Sequence, residues 1–290
     1  VKLDGKGQIA MKIIALLVGV VLIVSVTAVA CGGGGDAGEE YTGDISGEEL
    51  IERVLASVDE QETAKFSMLI DGNIKGTIEG EYGEMTYRME GNGAVDLVDR
   101  EMLQEMTMTM SSSTEGETEQ YTLVMKSYFV DDFVYVGSQE DGGQTYWVKG
   151  DMSEELWESY DLQNQQVEML RDAEVRILGT QSARGVPCYV AEITLDPGEI
   201  MEMMDTQSTG LESLWLGEDT IRNFESEGWY AQATYFPMRA TNEYDIVFEQ
   251  GDDRLTGHYS TSLEMYDYNK PVTVQLPHDA EGAEYIGPLD

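Results

Sequence analysis

The sequence predicts an α+β fold: one large, curved antiparallel sheet with two or three helices covering its concave face. Three observations carry that expectation. Apolar residues recur at every second position through long stretches, most plainly in EMTMTM (105–110), where Met106, Met108 and Met110 alternate with threonines. A few segments have helical spacing instead. No shift in composition divides residues 46–290, so the strands belong to one domain. A sheet of about ten strands with one apolar face must curl and bury that face on its own helices or on a ligand.

The elements follow in order. Residues 13–30, IIALLVGVVLIVSVTAVA, are an uncharged run behind Lys2, Lys6 and Lys12. Such a build describes a secretory signal over residues 1–30, and the run is also long enough to compete as a single membrane-crossing helix. Translation starts at Val1 or at Met11. Ala28-Val29-Ala30-Cys31 resembles the lipobox of bacterial lipoproteins, with Ala28 where Leu is usual. The resemblance implies cleavage before Cys31 and acylation of its thiol. Gly32 to Gly35 and the acidic residues behind them then form a tether over 31–45. Several acyl chains at ~0.8 kcal/mol per buried methylene hold a protein on a membrane, where one chain does not. The expected address is therefore the cell membrane, lipid-anchored and facing outward.

Ser46 and Glu49 form a capping-box pattern, and Leu50, Ile51, Val54, Leu55 and Val58 continue a helix over 47–60. The period then changes to two. FSMLID aligns Phe66, Met68 and Ile70; NIKGTIEGEY aligns Ile74, Ile78 and Tyr82 with Gly76 and Gly80; EMTYRME aligns Met85, Tyr87 and Met89; YTLVMK aligns Leu123 and Met125. Tyr82-Gly83, Gly91-Asn92-Gly93, Asp131-Asp132 and Asp141-Gly142-Gly143 read as turns. A second helix is expected over 152–173, capped by Asp151 and Glu154, with Leu156, Trp157, Tyr160, Leu162, Val167 and Leu170 as its stripe. EVRILGTQ and CYVAEITL form a hairpin around 182–187, residues 197–207 a short helix, and three more strands close the domain.

Composition bounds the chemistry. There are 56 acidic against 17 basic residues, a net charge of −39 and a pI near 4.1. Residues 1–30 contribute +2 of that, so the mature chain is more acidic still. Such a surface repels phosphate, which excludes nucleic acid as a partner. The charge otherwise reads as a solubility device or an adaptation to a salty exterior. Two cysteines and two histidines give no cluster for a metal, and no cofactor is expected. Cys188, on an alternating strand without a local base, reads as a buried inert thiol. No nucleophile has a histidine base nearby in sequence and no G-x-S-x-G occurs, so no enzymatic activity is expected.

The stretches EELIERVLASVDEQETAKFSMLIDG and FEQGDDRLTGHYSTSLEMYDYNKPVTVQLP, with the central hairpin LGTQSARGVPCYVAEITL, resemble the LolA/LppX-like lipoprotein carriers in order and texture. The resemblance implies a half-open β-barrel plugged by helices, with acyl chains held in the concave interior. The Met-rich strands and the acidity are not features of that family. The expected function is a monomeric envelope lipoprotein that binds a lipid or another long apolar molecule. Phe66, Met68, Ile70, Met85, Tyr87, Met89, Met106, Met108, Met110, Leu123 and Met125 would form the ligand wall, since unbranched thioethers repack around variable chains. The competing structural reading packs the same wall on the protein's own helices. The competing functional reading is a non-enzymatic sensor or protein-interaction lipoprotein, with loops such as 111–120 and 137–143 as its working surface.

Overall fold

The computed structural model describes residues 43–288 apart from 79, 115–116, 155, 158–169, 172 and 195–219. Near the start, the Ser46 side chain accepts the Glu49 N–H at 3.1 Å and caps helix α1, Gly47–Ser57. A 3-10 turn, Val58–Glu60, finishes it, so the helix expected over 47–60 is real but tightens in its last turn. Leu50 and Val54 face the core.

Strands then follow almost without interruption. β1 (Thr63–Ile78), β2 (Glu81–Asp96), β3 (Glu101–Thr114), β4 (Glu117–Val130), β5 (Phe133–Glu140) and β6 (Tyr146–Asp151) form one antiparallel meander. β7 (Glu174–Ala183), β8 (Val186–Thr194), β9 (Ile221–Ala231), β10 (Pro237–Gln250) and β11 (Asp253–Tyr266) form a second. β1 pairs with β11 and joins the two side by side. β12 (Glu284–Pro288) adds parallel to β6. The result is one open sheet of twelve strands in the order 12-6-5-4-3-2-1-11-10-9-8-7.

This corrects the α+β expectation. The curved antiparallel sheet is present, but the described chain is nearly all strand, and α1 is its one α-helix of any length. The fold is all-β. Much of the second expected helix and all of the third (197–207) lie outside the described residues. Where the second begins, its cap is neither Asp151 nor Glu154. Asp151 ends β6, and Ser153 provides both the side-chain oxygen to Leu156 N–H (3.0 Å) and the carbonyl to Trp157 N–H (3.1 Å). Serine caps because its short hydroxyl reaches the free N–H groups of the first turn.

Strict alternation gives the sheet two faces. The core face carries Phe66, Met68, Ile70, Met85, Tyr87, Met89, Met108, Phe129, Tyr244, Tyr259 and Leu263 in one continuous apolar cluster. The outer face is polar except at two patches. One, around Cys188, Val190 and Trp229, belongs to the second meander. The other, Tyr128 and Trp147, is covered by the C-terminal segment through Val274, Leu276 and Ala280. Two long connections thus serve opposite faces. The 152–173 connection carries the chain from β6 to the far edge strand β7, and its described ends, Trp157 against Phe129 and Leu170, join the core face. The C-terminal connection returns from β11, at the centre, across the outer face to the β6 edge.

Two expected turns lie inside β2 instead. Gly91-Asn92-Gly93 and Tyr82-Gly83 are strand residues. Gly93 answers to packing: a Cβ there would sit 2.3 Å from the Phe66 ring and 2.5 Å from the Leu103 carbonyl oxygen. The same device recurs where Tyr87 lies over Gly72 and Trp147 over Gly137, each aromatic directly opposite its glycine. The actual β2–β3 turn is at 97–100, where the Asp96 carboxylate accepts the Val98 and Asp99 N–H groups. The Asp131-Asp132 turn is present, with both residues at positive φ.

Gly93→Ala is expected to lower unfolding free energy by about 1–3 kcal/mol in urea titration, the cost of overpacking a fitted contact. Gly282→Ala, where a Cβ meets nothing within 4 Å, is expected to stay within ~0.5 kcal/mol of wild type.

Candidate functional site

The eleven residues expected to line a ligand wall all share the core face, because the register places them on matching positions. Met68 and Ile70 on β1 lead through Met89 on β2 to Met108 on β3 and Leu123 on β4; Tyr87 faces Met110, which faces Tyr121. Their surroundings divide them. Phe66, Met68, Ile70, Met85, Tyr87, Met89, Met108 and Met110 are buried, Ile70 completely. Met106, Leu123 and Met125 are only partly buried. These three are contiguous: Met106 is directly opposite Met125, and Leu123 is two residues along β4. With Tyr121 beside them, they form a half-covered apolar strip on β3 and β4. Cys31, the expected lipid anchor, lies outside the described residues, as do the signal and nearly all of the tether.

An aromatic row crosses the same face. Phe224 stacks on Tyr244 (centroids 5.5 Å, planes 14° apart), Tyr244 on Tyr259 (5.1 Å, 2°), and Tyr259 meets Tyr87 at 5.8 Å across Gly72. Burial pushes the Tyr87, Tyr244 and Tyr259 hydroxyls well above the ordinary phenol range, so they stay protonated donors.

Sequence reasoning missed a polar row next to it. Ser226, Asn242 and Thr261 form one row across β9, β10 and β11, with Asn242 opposite both others and each at most 6% exposed. Asn242 Nδ2 donates to Thr261 Oγ1 at 3.0 Å. The signal was available: Asn242 shares strand parity with Tyr244, Ile246 and Phe248. A polar residue on an apolar stripe is the informative exception.

The outer face holds a groove of about 430 Å³ crossing β11, β1, β2, β3 and β4. Asp71, Asn73, Thr86, Arg88, Thr109, Ser111, Gln120, His258 and Ser260 line it. Arg88 donates to both Asp71 oxygens (3.1 and 3.0 Å) and to Glu90 (2.6 Å). Beside the groove, the Asp245 carboxylate takes the Asn223 amide at 2.7 Å and faces His258 Nδ1 at 2.9 Å. Those two contacts, the amide first, hold Asp245 below the usual carboxylate range. The loop at 137–143 is largely strand: Gly137 to Glu140 belong to β5. Cys188 is fully buried on the outer-face patch, and burial pushes its thiol up.

No family model matches the sequence, and no curated protein matches it. Among solved structures, the chain is similar to a DUF1329 family protein from Desulfovibrio piger, with 11% identity, 81% of this chain and 97% of that one covered, and a TM-score of 0.24. It is also similar to MucB of Pseudomonas aeruginosa, solved in complex with MucA (11%, 80% and 61%, 0.30). A third is the β-barrel-like DUF1849 domain protein from Brucella abortus (10%, 71% and 100%, 0.30). Likeness of this degree fixes neither family nor function.

Two outcomes are expected. A thiol reagent should leave Cys188 unmodified in the native protein and label it fully in denaturant, as counted by intact mass. Because the Asp245 pKa is depressed by folding, its contribution to stability is present above the unfolded carboxylate pKa of about 3.9 and is lost as pH falls through the folded value. Asp245→Asn should therefore melt slightly below wild type at pH 7 and together with it near pH 2. The difference should be small, since the pair is solvent-exposed.

Proposed function

We propose that the protein is a non-catalytic, lipid-anchored binding protein of the cell envelope that holds a long apolar molecule on the core face of its sheet. One observation supports this reading above the others: the apolar strip of Met106, Leu123 and Met125 is contiguous, central to the first meander and only half covered. Around it on β1–β3, Phe66, Met68, Ile70, Met85, Tyr87, Met89, Met108 and Met110 are buried, while Ile246 and Phe248 on β10 are also only partly covered. An incompletely covered methionine surface suits an apolar guest, because the unbranched thioether adopts many shapes at little cost and is polarizable. Anchoring at Cys31 rests on the sequence alone, through the lipobox-like AVAC and the glycines behind it.

A second reading, a sensor or protein-interaction lipoprotein, draws support from the outer-face groove with its hydroxyls, amides and paired charges. It uses the same sheet as a scaffold and the other face as the working surface.

Fluorescent fatty-acid titration of delipidated protein separates the two. Saturable binding is expected in the wild type. Leu123→Glu and Met125→Glu should each weaken it more than tenfold, because a carboxylate buried against an apolar chain is penalised by several kcal/mol. Both variants should melt within a few degrees of wild type, since the positions are already partly exposed. Absence of wild-type binding, or binding that ignores both substitutions, would exclude the core-face reading.

A further inference from the structure

The core face changes character along a single row of the sheet. Ser226, Asn242 and Thr261 occupy it on β9, β10 and β11. Across the central pairing the same row continues as Ile70, Met89, Met108 and Leu123 and so reaches the half-covered strip. One end of the row is polar and the other is apolar.

The polar end is incompletely satisfied. The Ser226 hydroxyl and the Tyr244 hydroxyl are buried and meet no hydrogen-bond partner among the described residues. Tyr259, stacked on Tyr244, turns its hydroxyl toward that of Tyr87 without hydrogen-bond geometry. Buried hydroxyls nearly always have partners, because an unpartnered one forfeits its hydration with nothing in return. Two such groups, one strand apart and both on the core face, call for acceptors supplied from outside the described chain. The charge of the acceptor is also constrained. No Lys, Arg or His occupies a core-face position among the described residues of β8–β11. The chain as a whole carries −39. A carboxylate or phosphate placed there would be desolvated with no countercharge.

We infer that the ligand is an uncharged amphiphile whose ester carbonyl or hydroxyl head accepts from Tyr244 and Ser226 while its chain runs toward β3 and β4. This inference rests on the core-face binding reading and adds to it a ligand class, an orientation and a headgroup site. It predicts that head and tail contacts are separable. The headgroup end recognises chemistry; the methionine end tolerates variation in chain shape.

The test compares three ligands on the full chain by native mass spectrometry and competition titration: dioleoylglycerol (uncharged, with esters), oleate (anionic) and hexadecane (no head). Wild type is expected to prefer dioleoylglycerol over oleate at neutral pH. The double variant Tyr244→Phe/Ser226→Ala, which keeps ring and volume, should bind dioleoylglycerol about tenfold more weakly, the loss of roughly one net hydrogen bond. It should bind hexadecane unchanged and melt no lower than wild type. Oleate binding as tight as dioleoylglycerol would overturn the inference, as would a double variant with unaltered dioleoylglycerol affinity, in which case water or the chain itself satisfies the hydroxyls. If the wild type binds hexadecane but not dioleoylglycerol, this inference fails and core-face binding stands. If it binds none of the three, both fail.

Discussion

The pairing of β1 with β11 is the constraint on which the rest of this structure depends. It runs in register from Lys65 opposite Tyr266 to Thr77 opposite Arg254, joining residues some two hundred positions apart. Each meander alone is a sequence of local hairpins. Only this contact makes them one sheet, brings Leu263 opposite Met68 and Tyr259 opposite Gly72, and merges two apolar faces into one core. Such long-range pairing is slow to form, because chain entropy is lost before any contact rewards it. It also sets the routes of the two long connections. With the first and last long strands fixed at the centre, β6 and β7 are driven toward opposite ends of the sheet.

The two faces deal differently with the acidic composition. On the outer face several basic side chains sit against carboxylates, Arg88 with Asp71 and Glu90, Arg176 with Glu192, Arg184 with Glu264 and Lys126 with Glu105, while Lys149 and Arg239 lie over aromatic rings. Exposed pairs of this kind contribute about 0–1 kcal/mol each, so they order the surface more than they stabilise the fold. Among the described residues, the core face excludes charge from its centre and admits polarity there as neutral hydroxyls and the amides of Asn242 and Gln104.

Glycine has a different meaning here from the one its sequence neighbourhood suggests. Gly91-Asn92-Gly93 has the composition of a turn, yet β2 runs straight through it, because Phe66 needs the space that a Cβ on Gly93 would fill. Gly72 under Tyr87 and Gly137 under Trp147 repeat the arrangement. Nothing local distinguishes a glycine that bends the chain from one that makes room for the ring on the next strand.

By itself the sequence determined the strand texture, the Ser46 cap, the parity that sets the eleven apolar residues on one face, and the burial of Cys188. These are local properties, fixed by spacing along the chain and by side-chain chemistry. The tertiary structure alone decided how those faces combine. It showed an all-β sheet of twelve strands where helices had been expected to share the fold, separated the buried methionines from the half-covered Met106 and Met125, and set Ser226, Asn242 and Thr261 side by side. The physical reason is register. Alternation tells which face a residue takes, but only inter-strand pairing tells which residues from distant strands meet there.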